Sequence, residues 1–185
     1  MKILKLKNDK RAVVWISTVI YTLIGLSIIA ILLVVVNPRI KELKDSFVIK
    51  QTIVAMDDLD NTILDILKAA GNKRYYEFHL SRGNFRFDCS NDIIEWNLDE
   101  SLSKASEPGV IFNHGDIQVL TTESNNNYLI NLKTNYSRLD LTCSEDQLNN
   151  EIVINPASTP YKIYVENKGE NNESSPRTIV NIVLS

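Results

Sequence analysis

From Ala12 to Val36 the chain runs through 25 consecutive residues without a charge, AVVWISTVIYTLIGLSIIAILLVVV. As a helix this run extends about 37 Å at about 1.5 Å per residue. A bilayer's hydrocarbon core is about 30 Å thick, so the segment is long enough to cross it with some tilt. A secretory apolar region is shorter, about 7–15 residues, and ends at a small-x-small cleavage site. Here Ile31 to Val36 is bulky and uninterrupted, and Asn37-Pro38 follows. A secretory peptidase has little to cut, so the segment is expected to stay, either as a plain membrane anchor or as a trimmed and reused assembly helix.

Flanking charge sets the expected orientation. Lys2, Lys5, Lys7, Lys10 and Arg11 precede the run, opposed only by Asp9, whereas basic and acidic residues alternate after it. The positive-inside bias therefore puts the N-terminus in the cytoplasm and the residues from Asn37 onward outside. Removing that leader from the chain's 20 Lys+Arg and 23 Asp+Glu leaves 15 against 22, net −7, for the outer portion. Such a balance argues against nucleic acid, whose phosphates need a basic face. Both cysteines, Cys89 and Cys143, fall in the outer portion. In an oxidising compartment the pair favours a disulfide; the alternative is two separate buried thiols.

Four segments follow: a basic leader (1–12), a transmembrane helix (13–36), an amphipathic stalk helix (37–71) and an extracytoplasmic β-rich domain (72–185). In the stalk, Ile40, Leu43 and Phe47 share one face. Ile49, Ile53, Met56, Ile63 and Leu67 recur mainly at three or four, with Leu59 and Leu64 widening the stripe. Pro38 predicts a bend or brief break, and Gly71-Asn72 a stop. Beyond it the period changes to two. Tyr76, Phe78 and Leu80, then Phe85 and Phe87 across Ser-Arg-Gly-Asn, predict a hairpin. Further strands are expected at 93–98, 109–112, 117–122, 128–132, 139–143, 161–165 and 178–184, with a solvated loop at 168–176. The expected fold is α+β: a long N-terminal transmembrane and stalk helix, then an antiparallel, sandwich-like β-rich domain.

Catalytic and metal motifs are sparse. His79 and His114 are the only histidines and form no zinc spacing with the cysteines. Asp57, Asp58 and Asp60 lie on the stalk without the glycine-centred loop that calcium uses, and read as a solvated helical face. No serine elbow, phosphate loop or His-Glu-x-x-His is present, so neither catalysis nor a cofactor is expected. Asn135-Tyr136-Ser137 and Asn172-Glu173-Ser174 are acceptor sequons, making Asn135 and Asn172 possible glycosylation sites in an exported domain. Within the span, Ser17, Tyr21 and Gly25 share a face, with Thr18 and Thr22 beside it. Small and hydroxyl residues on one face suit a helix–helix contact in lipid; alternatively, the hydroxyls bond back to their own helix.

Lys10-Arg11-Ala12 before this helix resembles the processing site of archaeal type IV pilin-like proteins, which carry class III signal peptides. The resemblance implies a prepilin-type peptidase cutting between Ala12 and Val13, with Arg11, Ala12 and Val13 forming the processing site. Tyr21-Thr22-Leu23-Ile24-Gly25-Leu26 is similar to the aromatic-Thr-Leu-Ile-x-Leu signature of bacterial type IV pilins, displaced eight residues further in. Ser17 occupies the fifth mature position, where many bacterial pilins carry a glutamate used in subunit registration, so registration here would not use that charge. The resemblance covers roughly Lys10 to Ala70 in architecture and about a dozen residues in motif. It implies a single-pass, pilin-like structural or assembly subunit that displays its β-domain outside the cell, in the membrane or in an extracellular filament. Its expected partners are the lipid bilayer, the peptidase, and further copies or other pilin-like subunits through the N-terminal helix. The alternative is a permanently anchored cell-surface ectodomain that binds a ligand or partner.

Overall fold

A computed structural model of the chain describes residues 10–143, 150–171 and 174–185, with side chains from Trp15 onward. It is α+β: one long helix followed by a β-rich domain of two sheets. Helix α1 spans Lys10–Ile66 and remains helical through Pro38, so the break expected there is absent. The helix ends at Ile66, and turns at 67–71 replace the last residues of the expected stalk. The chain divides into two compact units between Lys41 and Glu42.

Ten strands follow among the described residues: β1 (Lys73–Phe78), β2 (Asn84–Asp88), β3 (Ile93–Ser101), β4 (Ile111–His114) and β5 (Ile117–Ser124). They continue with β6 (Asn127–Asn135), β7 (Leu139–Cys143), β8 (Glu151–Ile154), β9 (Tyr161–Glu170) and β10 (Thr178–Leu184). One sheet has the order β1-β9-β10-β7, the other β4-β5-β6-β3-β2-β8. All pairs of the six-stranded sheet are antiparallel, whereas β7 and β10 pair in parallel.

The strands expected at 109–112, 117–122 and 128–132 appear as β4, β5 and β6, which form two consecutive hairpins. Gly115 (φ 58°) and Asn125 (φ 54°) supply the left-handed backbone that two-residue turns require. The hairpin expected from Tyr76 to Phe87 does not form: β1 pairs with β9, and β2 pairs with β3 and β8. The Ser-Arg-Gly-Asn stretch carries the chain from one sheet to the other instead. Gly83 at φ 77° packs against Trp96, whose indole N–H donates to the Arg82 carbonyl at 3.0 Å. β8 had no place among the expected strands, because Ile152, Val153 and Ile154 form a short apolar run without the alternation that marks a strand. β9 continues to Glu170, into the segment expected to be a loop.

The domain core takes one face of α1 and both sheets. Met56, Leu59, Ile63 and Ile66 are buried with Phe78, Phe85, Phe87, Trp96, Leu132 and Val180. Cys89, just after β2, and Cys143 at the end of β7 form a disulfide that ties the two sheets together. Asp92 extends that link. Its carboxylate accepts the Leu141 N–H at 2.9 Å and the Arg177 guanidinium at 2.6 Å.

Candidate functional site on the helix and its seat

In the first unit, the side chains from Trp15 to Val36 are exposed except for Ser17 and Gly25, which are half-buried. The segment from Trp15 is long and apolar enough to cross a membrane, and none of its apolar window is buried by the protein itself. A surface of this composition needs an apolar surrounding, because water leaves it unfavourably hydrated. The Thr22 hydroxyl donates to the Val19 carbonyl at 2.8 Å and the Ser27 hydroxyl to Leu23 at 2.7 Å, as hydroxyls in lipid-facing helices do. Nothing lies within 4 Å of a β-carbon built on Gly25, so the face formed by Ser17, Thr18, Tyr21, Thr22 and Gly25 has room for a close neighbour. Arg11, Ala12 and Val13 lie in the first turn of α1.

In the second unit the helix has two distinct faces. Asp45, Val48, Ile49, Thr52, Met56, Leu59, Ile63 and Ile66 are buried, recurring at three or four as one stripe. Leu43, Phe47 and Val54 lie on another face and are exposed, Phe47 by 67 %. The face expected to carry Leu43 and Phe47 is thus uncovered, and of the stripe expected from Ile49 to Leu67 the core takes Ile49, Met56, Leu59 and Ile63 and leaves Leu64 exposed.

Asp45 opens the buried stripe. Its carboxylate accepts the Leu102 N–H at 2.8 Å and pairs with the Arg82 guanidinium, fixing the helix to the β1–β2 connection and to the segment after β3. At the other end, the Ile66 carbonyl accepts the side-chain amides of Asn167 at 3.1 Å and Asn72 at 3.4 Å. Helix C-termini leave such carbonyls without an intrahelical donor, so these amides serve as a cap. Between the two ends, the Tyr136 hydroxyl donates to the Asp60 carboxylate at 2.8 Å.

Asp60 is therefore not part of a solvated acidic face. Burial raises its pKa above the ordinary carboxylate range; Asp116 and Asp57 add to the rise and the Tyr136 hydrogen bond opposes it. Burial and the Asp60 charge likewise push the Tyr136 phenol up. Asp57 faces His114 at 3.5 Å, and Asp58 is exposed. A cavity of about 520 Å³ opens beside this cluster, lined by Asp60, Leu64, Asp116, Gln118, Tyr136 and Arg138. Its polar groups can hold a charged or hydroxylated ligand. Among the described residues, no group of three or more His, Cys, Asp or Glu is placed to hold a metal ion. His79 is exposed.

A shallower groove of about 350 Å³ lies between α1 and β4, floored by Ile49, Ile53 and Phe112 and edged by Lys50 and Lys104. Asn135 is exposed, and its side-chain amide oxygen Oδ1 accepts the Ser137 N–H at 2.8 Å within the sequon. Asn172 lies outside the described residues.

The chain matches no protein-family profile, no curated relative and no solved structure. The site must therefore be read from its own residues. Sequence reasoning missed Asp45, Tyr136 and Asn167. For Asp45 a signal existed, since it stands one turn ahead of Ile49 in phase with the buried stripe. Tyr136 and Asn167 meet the helix from 76 and 101 residues away, with no local pattern.

Proposed function

We propose that the chain is a single-pass, pilin-like structural subunit whose α1 anchors it in the membrane and supplies the helix–helix contacts of assembly, with the β-rich domain displayed outside the cell. The observation that carries this reading is the exposure of α1 from Trp15 to Val36, beside a second half whose one face is built into the domain core. Lipid satisfies the exposed segment while the chain is in the membrane. Copies of the same helix satisfy it equally in a filament core, because both surroundings are apolar. Leu43 and Phe47 support assembly over simple anchoring. They stand among Glu42, Lys44, Asp45 and Lys50, too many charges for a hydrocarbon setting, so protein is the fitting cover.

Processing between Ala12 and Val13 by a prepilin-type peptidase belongs to the same reading, as does the disulfide, which suits an oxidising, extracytoplasmic compartment. The permanently anchored ligand-binding ectodomain is favoured by one feature, the cavity beside Asp60 and Tyr136. Fractionation separates the two readings. Mechanical shearing of producing cells releases an assembled subunit, with α1 intact, into a high-molecular-weight pellet. Complete retention in the membrane fraction would reject assembly and leave the anchored ectodomain.

A further inference from the structure

The six-stranded sheet ends in two strands of equal length, β4 (Ile111–His114) and β8 (Glu151–Ile154), each with one sheet neighbour among the described residues. Free edges of exported sheets are commonly protected by lysine, proline or a bulge. β4 has none of these. Val110, Ile111 and Phe112 are 56 %, 60 % and 55 % exposed, and on β8 Val153 is 48 % exposed. Cross-strand registers show which side chains share a face. Asn113 pairs with Gln118, Gln118 with Lys133, Lys133 with Glu95, Glu95 with Arg86 and Arg86 with Val153. Since side chains alternate along a strand, Ile111, Asn113, Glu151 and Val153 all lie on the outer face.

We infer that β8 of one copy pairs antiparallel with β4 of a second copy, continuing the six-stranded sheet from molecule to molecule. Strand direction permits this without any rotation. Six strictly alternating strands leave β4 and β8 pointing in opposite directions, so a translated copy meets β8 in the antiparallel sense. Facing fixes the parity of the register, and covering the exposed apolar residues selects Val153 opposite Ile111, Ile152 opposite Phe112, Ile154 opposite Val110 and Glu151 opposite Asn113. That register covers all the exposed apolar residues of both edges, and the Asn113 amide can donate to the Glu151 carboxylate. A twofold β4–β4 pairing would cover Ile111 but leave Val153 in water. Four-residue strands bury far less than the roughly 1,200 Å² of a stable soluble interface, so the contact needs the high local concentration of tethered copies. It rests on the anchoring part of the proposed function, not on release into a filament. Being head-to-tail, it propagates rather than closes.

Cysteine pairing in membranes from cells producing the full chain tests this. Residues directly opposite in an antiparallel pair have Cα atoms about 4.5–5.5 Å apart, within disulfide reach. Ile111→Cys with Val153→Cys in one chain, oxidised with copper phenanthroline, is expected to give a ladder of dimer, trimer and higher species on non-reducing gels. Yield should exceed at least tenfold that of Tyr75→Cys with Val153→Cys, in which Tyr75, as exposed as Ile111, lies on the β1 edge of the other sheet. If the double variant is poorly produced, co-producing the two single-cysteine chains should give the heterodimer alone, without higher species. Equal yields for the two pairs, no cross-linked species, or dimerisation by Ile111→Cys alone, which is the twofold pairing, would each overturn the inference. Recovery of the chain in the membrane fraction is scored separately, so loss of the anchor and loss of the strand contact are distinguishable.

Discussion

Removing the Asp45 carboxylate should loosen the helix from the domain. Asp45 is buried, and its two oxygens take the Leu102 N–H and the Arg82 guanidinium. Asp45→Ala leaves the Leu102 N–H without an acceptor. Hydrogen bonds to charged groups contribute roughly 1.5–3 kcal/mol each. The Arg82 side chain is 41 % exposed and rehydrates when its partner goes, so its share falls toward the small value of a surface pair. A total loss of about 2–3 kcal/mol follows. For a domain of this size, about 1 kcal/mol lowers Tm by roughly 2–4 °C, so the expected drop is about 5–10 °C. The assay is thermal unfolding of the full chain in detergent, followed by near-ultraviolet circular dichroism of the core Trp96. Adding Arg82→Ala to Asp45→Ala should cost less than about 0.5 kcal/mol more, because Arg82 acts through Asp45. A Tm within 1 °C of the unaltered chain would refute the reasoning and show that Asp45 does not hold the helix.

Gly83→Ala is expected to cost about 3 kcal/mol or more, combining the positive φ of 77° with a β-carbon 2.5 Å from the Asn97 carbonyl. Gly109→Ala, at φ 76° in open space, should cost only about 1–2 kcal/mol, and chemical denaturation of the two variants checks the difference. Reducing Cys89–Cys143, 54 residues apart, should remove about 4 kcal/mol by the chain-entropy argument, read as a lower denaturation midpoint in reductant. Asp60, whose folded-state pKa is raised chiefly by burial, binds its proton more tightly folded than unfolded. Its contribution is therefore present at low pH and lost as pH climbs from its unfolded to its folded pKa. Asp60→Asn should gain stability relative to the unaltered chain across that window in urea titrations, and an unchanged difference from pH 3 to 7 would reject the assignment.

The sequence is most legible where a pattern is local and one-sided. The apolar helix, the two hairpins around Gly115 and Asn125, and the alternation of β3 and β6 all carry their own period. The Cys89–Cys143 pairing followed from there being only two cysteines in one compartment. What escaped is non-local. Tyr76–Phe78 and Phe85–Phe87 have the alternation and the turn of a hairpin, yet β1 leaves for the other sheet. Local propensity cannot distinguish pairing with the next strand from pairing with β9, some 85 residues away. The parallel β7–β10 pair is hidden for the same reason. On the helix, apolar spacing of three and four describes both the buried stripe and the exposed Leu43–Phe47 face, and only packing separates them. Asp60 looked solvated because its partner Tyr136 is supplied by a distant strand end.

The central claim, that α1 is processed and reused for assembly, is tested most directly by the intact mass of the chain recovered from native membranes. The expected result is a mature N-terminus at Val13, with the cut between Ala12 and Val13 and the rest of α1 retained. A mass that keeps Met1 or Lys2 would contradict it and leave a simple anchor, and a start beyond Val36 would remove the helix from the functional protein altogether.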